Sequence, residues 1–199
     1  MSINFEWIRR GKKNTNEKML ILNMENVSVY VGQRLVLEDI SLKIFEGDQL
    51  RITGPNGSGK STLLNAIAGV IPLSSGSIYF KRADVSILPT HERVALGIKY
   101  MRQSSNVFLS LAVAENLTLA LGGDGYARFS KQFPQWAQDM PANKKAGLLS
   151  GGQKQKLAWA MTVLSQCELA LMDEPIAGMY DGKNLIEELN VTSIFIEHH

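Results

Sequence analysis

Gly54-Pro55-Asn56-Gly57-Ser58-Gly59-Lys60-Ser61-Thr62 sets glycines, a lysine and hydroxyls at the spacing Gly-x-x-x-x-Gly-Lys-Ser. A backbone that curls around a row of phosphates must turn its N–H groups inward. Several conformations it needs have positive φ, which glycine adopts at little cost. Lys60 supplies a cation for the outer phosphates, and Ser61 offers a hydroxyl to Mg²⁺. A helix starting at Lys60 would aim the positive end of its dipole at the same anions. The segment reads as a cradle for a triphosphate such as ATP.

Four smaller groups carry chemistry. Leu149-Ser150-Gly151-Gly152-Gln153 places a hydroxyl and two glycines at the start of a helical pattern, which makes a second anion site. Asp173-Glu174 follows four apolar residues, so Asp173 sits at the end of a buried strand. Gln103 follows the strand pattern of 98–101. Glu197-His198 follows the apolar run 193–196.

The elements that must position these groups can be read from periodicity. Residues 49–53 form a strand pattern, and 61–68 an amphipathic helix stopped by Gly69. Residues 19–30 and 36–44 alternate and are rich in β-formers, with a turn at Glu46-Gly47-Asp48, as in an antiparallel layer. A short strand is expected at 76–80, a helix at 90–97 and a strand at 98–101. The stretch 106–148 changes character. It holds a helix over 112–121, then Gly122-Gly123-Asp124-Gly125, then a segment with Phe129, Phe133, Pro134, Trp136 and Pro141, and reads as a compact helical insertion. A helix at 153–164, an apolar strand at 169–172, a short helix at 185–189 and a last strand at 193–196 complete the pattern. Residues 1–18 are polar and basic and read as a mobile leader, or as a short amphipathic helix touching a partner or anionic head groups.

Composition narrows the class. The chain has 199 residues, 45% hydrophobic and 20% charged, enough for one domain with a sizeable core. A net charge of +2 provides no argument for nucleic acid, and none is expected as a partner. Cys167 is the single cysteine, so no disulfide can form within the chain, and a reducing compartment follows. No apolar run is long enough to span a membrane.

The ordered set of 54–62, Gln103, 149–153, 169–175 and Glu197-His198 resembles the ATPase subunit of ABC transporters. The resemblance covers roughly 20–199. It implies an α/β fold: a P-loop core sheet with an antiparallel β-subdomain and a small helical subdomain at about 104–165, all within one domain at 19–199. It implies that Asp173 holds Mg²⁺ through water, together with Ser61 and Gln103. Glu174 would polarise the attacking water, Gln103 would sense the γ-phosphate, and His198 would hydrogen-bond it. The 149–153 motif would close on ATP held by a second ATPase subunit, so a head-to-tail dimer with sandwiched ATP is implied. A transmembrane permease subunit is the other implied partner, with 104–148 as its contact, and the expected location is the cytoplasmic face of a membrane.

Residues 88–98, 107–111, 115–117 and 173–179 are similar to importer ATPases for branched-chain amino acids and urea, and to the ATPase of lipopolysaccharide transport. Three departures stand out. The family's adenine-stacking aromatic falls near Val31; Tyr30 is one position away, and strand alternation turns it to the other face. The stretch from Asp173 to His198 is short, with Asp181 as a loose match to the family's aspartate there. The chain ends at His199 where the family continues, so apolar surface left bare is expected to be covered by a partner. The expectation is an ATPase that powers transport of a solute. The alternatives are an ABC-type ATP switch without transport, and an ATP-binding module that no longer hydrolyses.

Overall fold

Strands buried on both faces need continuous apolar runs, and two segments supply them. Leu169–Asp173 and Ser193–Ile196 are buried at every position and lie parallel, with Leu171 opposite Ile194 and Asp173 opposite Ile196. These strands are seen in a computed structural model that describes residues 3–9, 19–104, 106–177, 179, 185–186, 189 and 191–197. In chain order the elements are β1 (Asn4–Arg9), β2 (Leu20–Val31), β3 (Arg34–Phe45), β4 (Gln49–Thr53), α1 (Lys60–Ile67), β5 (Ser75–Phe80), β6 (Ala83–Asp84), α2 (Thr90–Ala95) and β7 (Ile98–Met101). They continue with α3 (Val113–Leu121), α4 (Gly125–Gln132), α5 (Pro134–Asp139), a 3-10 turn (Ala146–Leu148), α6 (Gly151–Val163), β8 (Leu169–Asp173) and β9 (Ser193–Ile196).

The chain divides into two units. The first comprises Met1–Tyr100, Glu168–Asp173 and Asn190–His199. Its core sheet has the order β1-β4-β9-β8-β7. Because β4, β9 and β8 are parallel and in register, Thr53 and Asp173 both sit at the carboxyl ends of their strands. That is the edge where open α/β sheets place ligands. The second sheet, β3-β2-β5-β6, is antiparallel, and its β2–β3 hairpin turns at Gly32, whose φ is +60°. Leu22, Met24 and Ile44 from this sheet join Leu50, Ile52, Leu64 and Ile196 in one apolar cluster.

Arg93 anchors the far end of α1. It is 2% exposed and donates to the carbonyls of Ala66 (2.8 Å) and Ile67 (2.8 Å), which end that helix, and to Ser86 (3.0 Å) and Leu88 (2.9 Å). Burial draws the guanidinium below its ordinary pKa, while the charge on Asp84 opposes that shift. A cation at a helix carboxyl end favours the dipole, so Arg93 tightens the helix whose other end forms the phosphate loop.

The second unit comprises Met101–Cys167 and Glu174–Leu189. Its core is aromatic. Phe133 and Trp136 stack at 4.5 Å, Phe129 lies 6.1 Å from Phe133, and Lys156 rests 4.9 Å over Trp136. Pro134 is the first residue of α5, a position where its missing N–H costs nothing.

The leader expectation is corrected in part. Residues 4–9 are neither mobile nor helical: they form β1, antiparallel to β4, with Phe5 opposite Ile52 and Trp7 opposite Leu50. The open edge of β4 offers ladder hydrogen bonds that a polar segment can accept as readily as an apolar one. Residues 10–18 lie outside the described residues, as do Asp181, His198 and part of the helix expected at 185–189.

Candidate functional site

The phosphate loop follows directly from β4. Gly54, Gly57 and Gly59 have φ of +141°, +75° and +102°. Gly59 is the N-cap of α1, and a Cβ there would meet Leu37 Cδ2 at 3.0 Å and the Val36 carbonyl oxygen at 3.2 Å. Gly57 differs: a Cβ would meet nothing within 4 Å, so only its backbone angle demands glycine. The Ser58 N–H donates to the Pro55 carbonyl at 3.2 Å and tightens the turn around Asn56.

No side chain caps α1, so its first N–H groups face the loop without a partner from the helix itself. Lys60 is 4% exposed, and its Nζ donates to the carbonyls of Gly54 (2.7 Å) and Pro55 (3.0 Å). The loop therefore already holds its cation among its own carbonyls. Ser61 is exposed and Thr62 half-buried at the head of the helix. The Ser58 hydroxyl is buried and has no hydrogen-bond partner. Uncapped N–H groups, a buried ammonium and an unsatisfied hydroxyl suit a polyphosphate.

Asp173 is 5% exposed at the end of β8. A buried carboxylate and the Ser61 hydroxyl are hard oxygen donors, which suit Mg²⁺. Among the described residues no group of three or more His, Cys, Asp or Glu could hold a metal. The ion would therefore be completed by phosphate oxygens and water, as Mg²⁺ sites on nucleotides usually are.

In the second unit, Gln103 Nε2 donates to Glu174 Oε1 at 2.8 Å, so two residues 71 positions apart meet. Glu174 has φ +53°, uncommon for a residue with a side chain. Gln155 was not singled out from the sequence. Its Nε2 donates to the carbonyls of Glu174 (2.9 Å) and Pro175 (3.2 Å). The only prior signal was its place on the helix after Gln153; periodicity gives a face, not a partner.

Ser150 is the N-cap of α6. Its Oγ accepts from the Gln153 N–H at 3.2 Å, and its own N–H donates to Gln153 Oε1 at 3.1 Å, a complete capping box. Ser150 and Gly151 are exposed, Gly152 is half-buried, and a Cβ on Gly151 would meet nothing within 4 Å.

Tyr30 is the next-to-last residue of β2 and is 54% exposed, and its N–H donates to Ser74 Oγ at 3.0 Å. Val31 is equally open, because the β2–β3 register shifts beyond Val29 and breaks the alternation.

Comparison with known proteins identifies the family and the fold. The family described as ABC transporter matches residues 37–177. The probable branched-chain amino acid transport ATP-binding protein LivF of Archaeoglobus fulgidus is 37% identical over 149 residues, 71% of this chain and 62% of that protein. The lipopolysaccharide export system ATP-binding protein LptB of Escherichia coli K12 is 31% identical over 86% of this chain and 76% of its own length. The sulfate/thiosulfate import ATP-binding protein CysA of Vibrio cholerae is 32% identical over 89% of this chain, which spans 51% of that protein. The chain thus spans between half and two thirds of two of these relatives. Among solved structures, the ADP conformation of MJ1267, an ATP-binding cassette of an ABC transporter, superposes with a TM-score of 0.74 at 29% identity. That match covers 91% of this chain and 82% of the other.

Proposed function

The chain belongs to the ABC transporter family, and on that premise we propose that it binds and hydrolyses ATP to power transport of a solute through a transmembrane partner. The observation that carries the reading is the bare N-terminus of α1, with buried Lys60 held at its mouth by the Gly54 and Pro55 carbonyls. Phosphate oxygens take over from those carbonyls as acceptors of the ammonium. The loop N–H groups of residues 56–62 take the rest of the negative charge.

Ser61 and Asp173 would hold Mg²⁺, with Gln103 as the further ligand that the family resemblance implies. When bound, that ion neutralises charge on the phosphates of the transition state. Glu174 accepts a proton from the attacking water, and the Gln103 hydrogen bond orients its carboxylate meanwhile. His198 donates to the γ-phosphate. Ser150, Gly151, Gly152 and Gln153 serve ATP bound by a second subunit, and the exposure of Ser150 and Gly151 supports that role. Tyr30, open on the end of β2, lies against the adenine.

Phe108, Leu109 and Leu148 are 58%, 55% and 74% exposed in the second unit, an apolar surface that suits a permease. Among the described residues no helix is long and apolar enough to cross a membrane. Attachment to a cytoplasmic membrane face through that permease follows from the proposed transport role.

The test is direct. Purified protein is titrated with ATP and Mg²⁺, and phosphate release is followed against protein concentration. Binding with release that rises more than linearly with concentration is expected. Absence of nucleotide binding would refute the reading, and binding without release would reduce it to an ATP-binding module.

A further inference from the structure

We propose that Gln155 is a positioning residue that sets the backbone of Glu174 and ties the helix begun by Ser150 to the water-polarising carboxylate. The inference rests on the catalytic role proposed for Glu174. Glu174 is held at both ends. Its carboxylate accepts from Gln103, and its carbonyl accepts from Gln155 at 2.9 Å and from the Ala177 N–H at 3.2 Å. The Gln155 amide carries two hydrogens, so one nitrogen serves both the Glu174 and Pro175 carbonyls.

These bonds oppose a backbone preference. A side chain at φ +53° is disfavoured, and Pro175 disfavours the right-handed alternative for the residue before it. Extended backbone is the competing state, and it would carry the carboxylate elsewhere. A strained residue persists only when its surroundings over-determine it. Gln155 supplies one of those constraints.

The same helix starts at Ser150. Gln153 closes its capping box, and Gln155 lies two residues further on. Any shift of the α6 N-terminus when Ser150 engages an anion moves Gln155, and with it the Glu174 carbonyl. Occupancy of the second anion site is thereby carried to the catalytic carboxylate within one chain.

Gln155→Glu keeps length and replaces the donor with an oxygen facing two carbonyls. The expected result is a kcat lower by about 10- to 100-fold with the KM for ATP within about twofold, the signature of a misplaced catalytic group. Gln155→Lys, which restores a donor, should recover most of the rate. Gln155→Ala, which adds no charge, should lose rate in the same direction. In a Glu174→Gln background, Gln155→Glu should cost nothing further. An equal loss in both backgrounds, or an unchanged kcat, overturns the proposal.

Hydrogen exchange of the Ala177 amide is read without nucleotide. It should quicken by about 2- to 10-fold in Gln155→Glu, and unchanged exchange also overturns the proposal. A wild-type chain that releases no phosphate refutes the proposed function alone. The Ala177 exchange then still decides the role of Gln155.

Discussion

The N-termini of α1 and α6, the two proposed to meet anions, are built in opposite ways. That of α1 has glycine as its N-cap, no side-chain cap and a buried lysine beside it. That of α6 has Ser150 as its N-cap, a complete capping box with Gln153, and open space around Gly151. The first site is committed: no side chain of the protein caps its N–H groups. The second is conditional, because its Gln153 N–H already donates to Ser150 Oγ, and a phosphate must compete with that hydroxyl for it. The difference teaches that one helix dipole can make either a permanent cradle or a contact formed only on docking. The N-cap residue decides which.

The strongest test of this contrast lies downstream of both helices. Glu174→Gln should lower turnover by about 10²- to 10⁴-fold while ATP binding is kept, and it should trap an ATP-bound dimer visible by sedimentation. Normal phosphate release from this variant would remove Glu174 from the mechanism.

Lys60→Ala strikes the committed site. Removing an ammonium held at the loop carbonyls should weaken ATP by about 30- to 1000-fold. Calorimetry with unchanged affinity would show that the loop does not hold the phosphates.

Ser150→Arg strikes the conditional site. Hydrolysis should fall by about 100-fold, whereas dilute monomer should bind ATP as before. Loss of monomer binding would mean that the α6 N-terminus serves its own chain, and the two termini would no longer be opposites.

Glycine substitutions give the smallest and most local effects. Gly59→Ala places a Cβ against Leu37 and Val36 at φ +102° and should cost about 1–3 kcal/mol in thermal or urea unfolding. Gly57→Ala has the same backbone problem without the clash and should cost less. Gly151→Ala, in open space at the first turn of α6, should leave stability unchanged or raise it by up to about 1 kcal/mol. Equal losses at Gly59 and Gly151 would erase the distinction between a packed loop and an open one.

Much of this was legible in the sequence, for a physical reason. Phosphate binding needs glycine angles, a lysine and a helix start within nine residues, so residues 54–62 carry their own context. Apolar runs such as Leu169–Asp173 announce buried parallel strands because both faces must be dry. The pairing of β1 with β4 was not legible. Residues 4–9 are half polar, and a sheet edge recruits a strand through backbone hydrogen bonds that composition does not record. The break in alternation at Val31 came from a register shift against β3, which is a property of two strands and not of one.

The sequence by itself determined which residue types could meet a triphosphate, because those requirements are local and covalent neighbours satisfy them. It also determined that Asp173 and Glu174 follow a buried strand. Only the tertiary structure decided which side chains hold Glu174 in place. Gln103 and Gln155 reach it from 71 and 19 positions away, and each contact depends on elements packing in the second unit. It likewise decided that Arg93 would be buried under the carboxyl end of α1. Side-chain amides and guanidinium groups bond whatever carbonyl the fold brings within reach, and that distance is set by packing rather than by spacing along the chain.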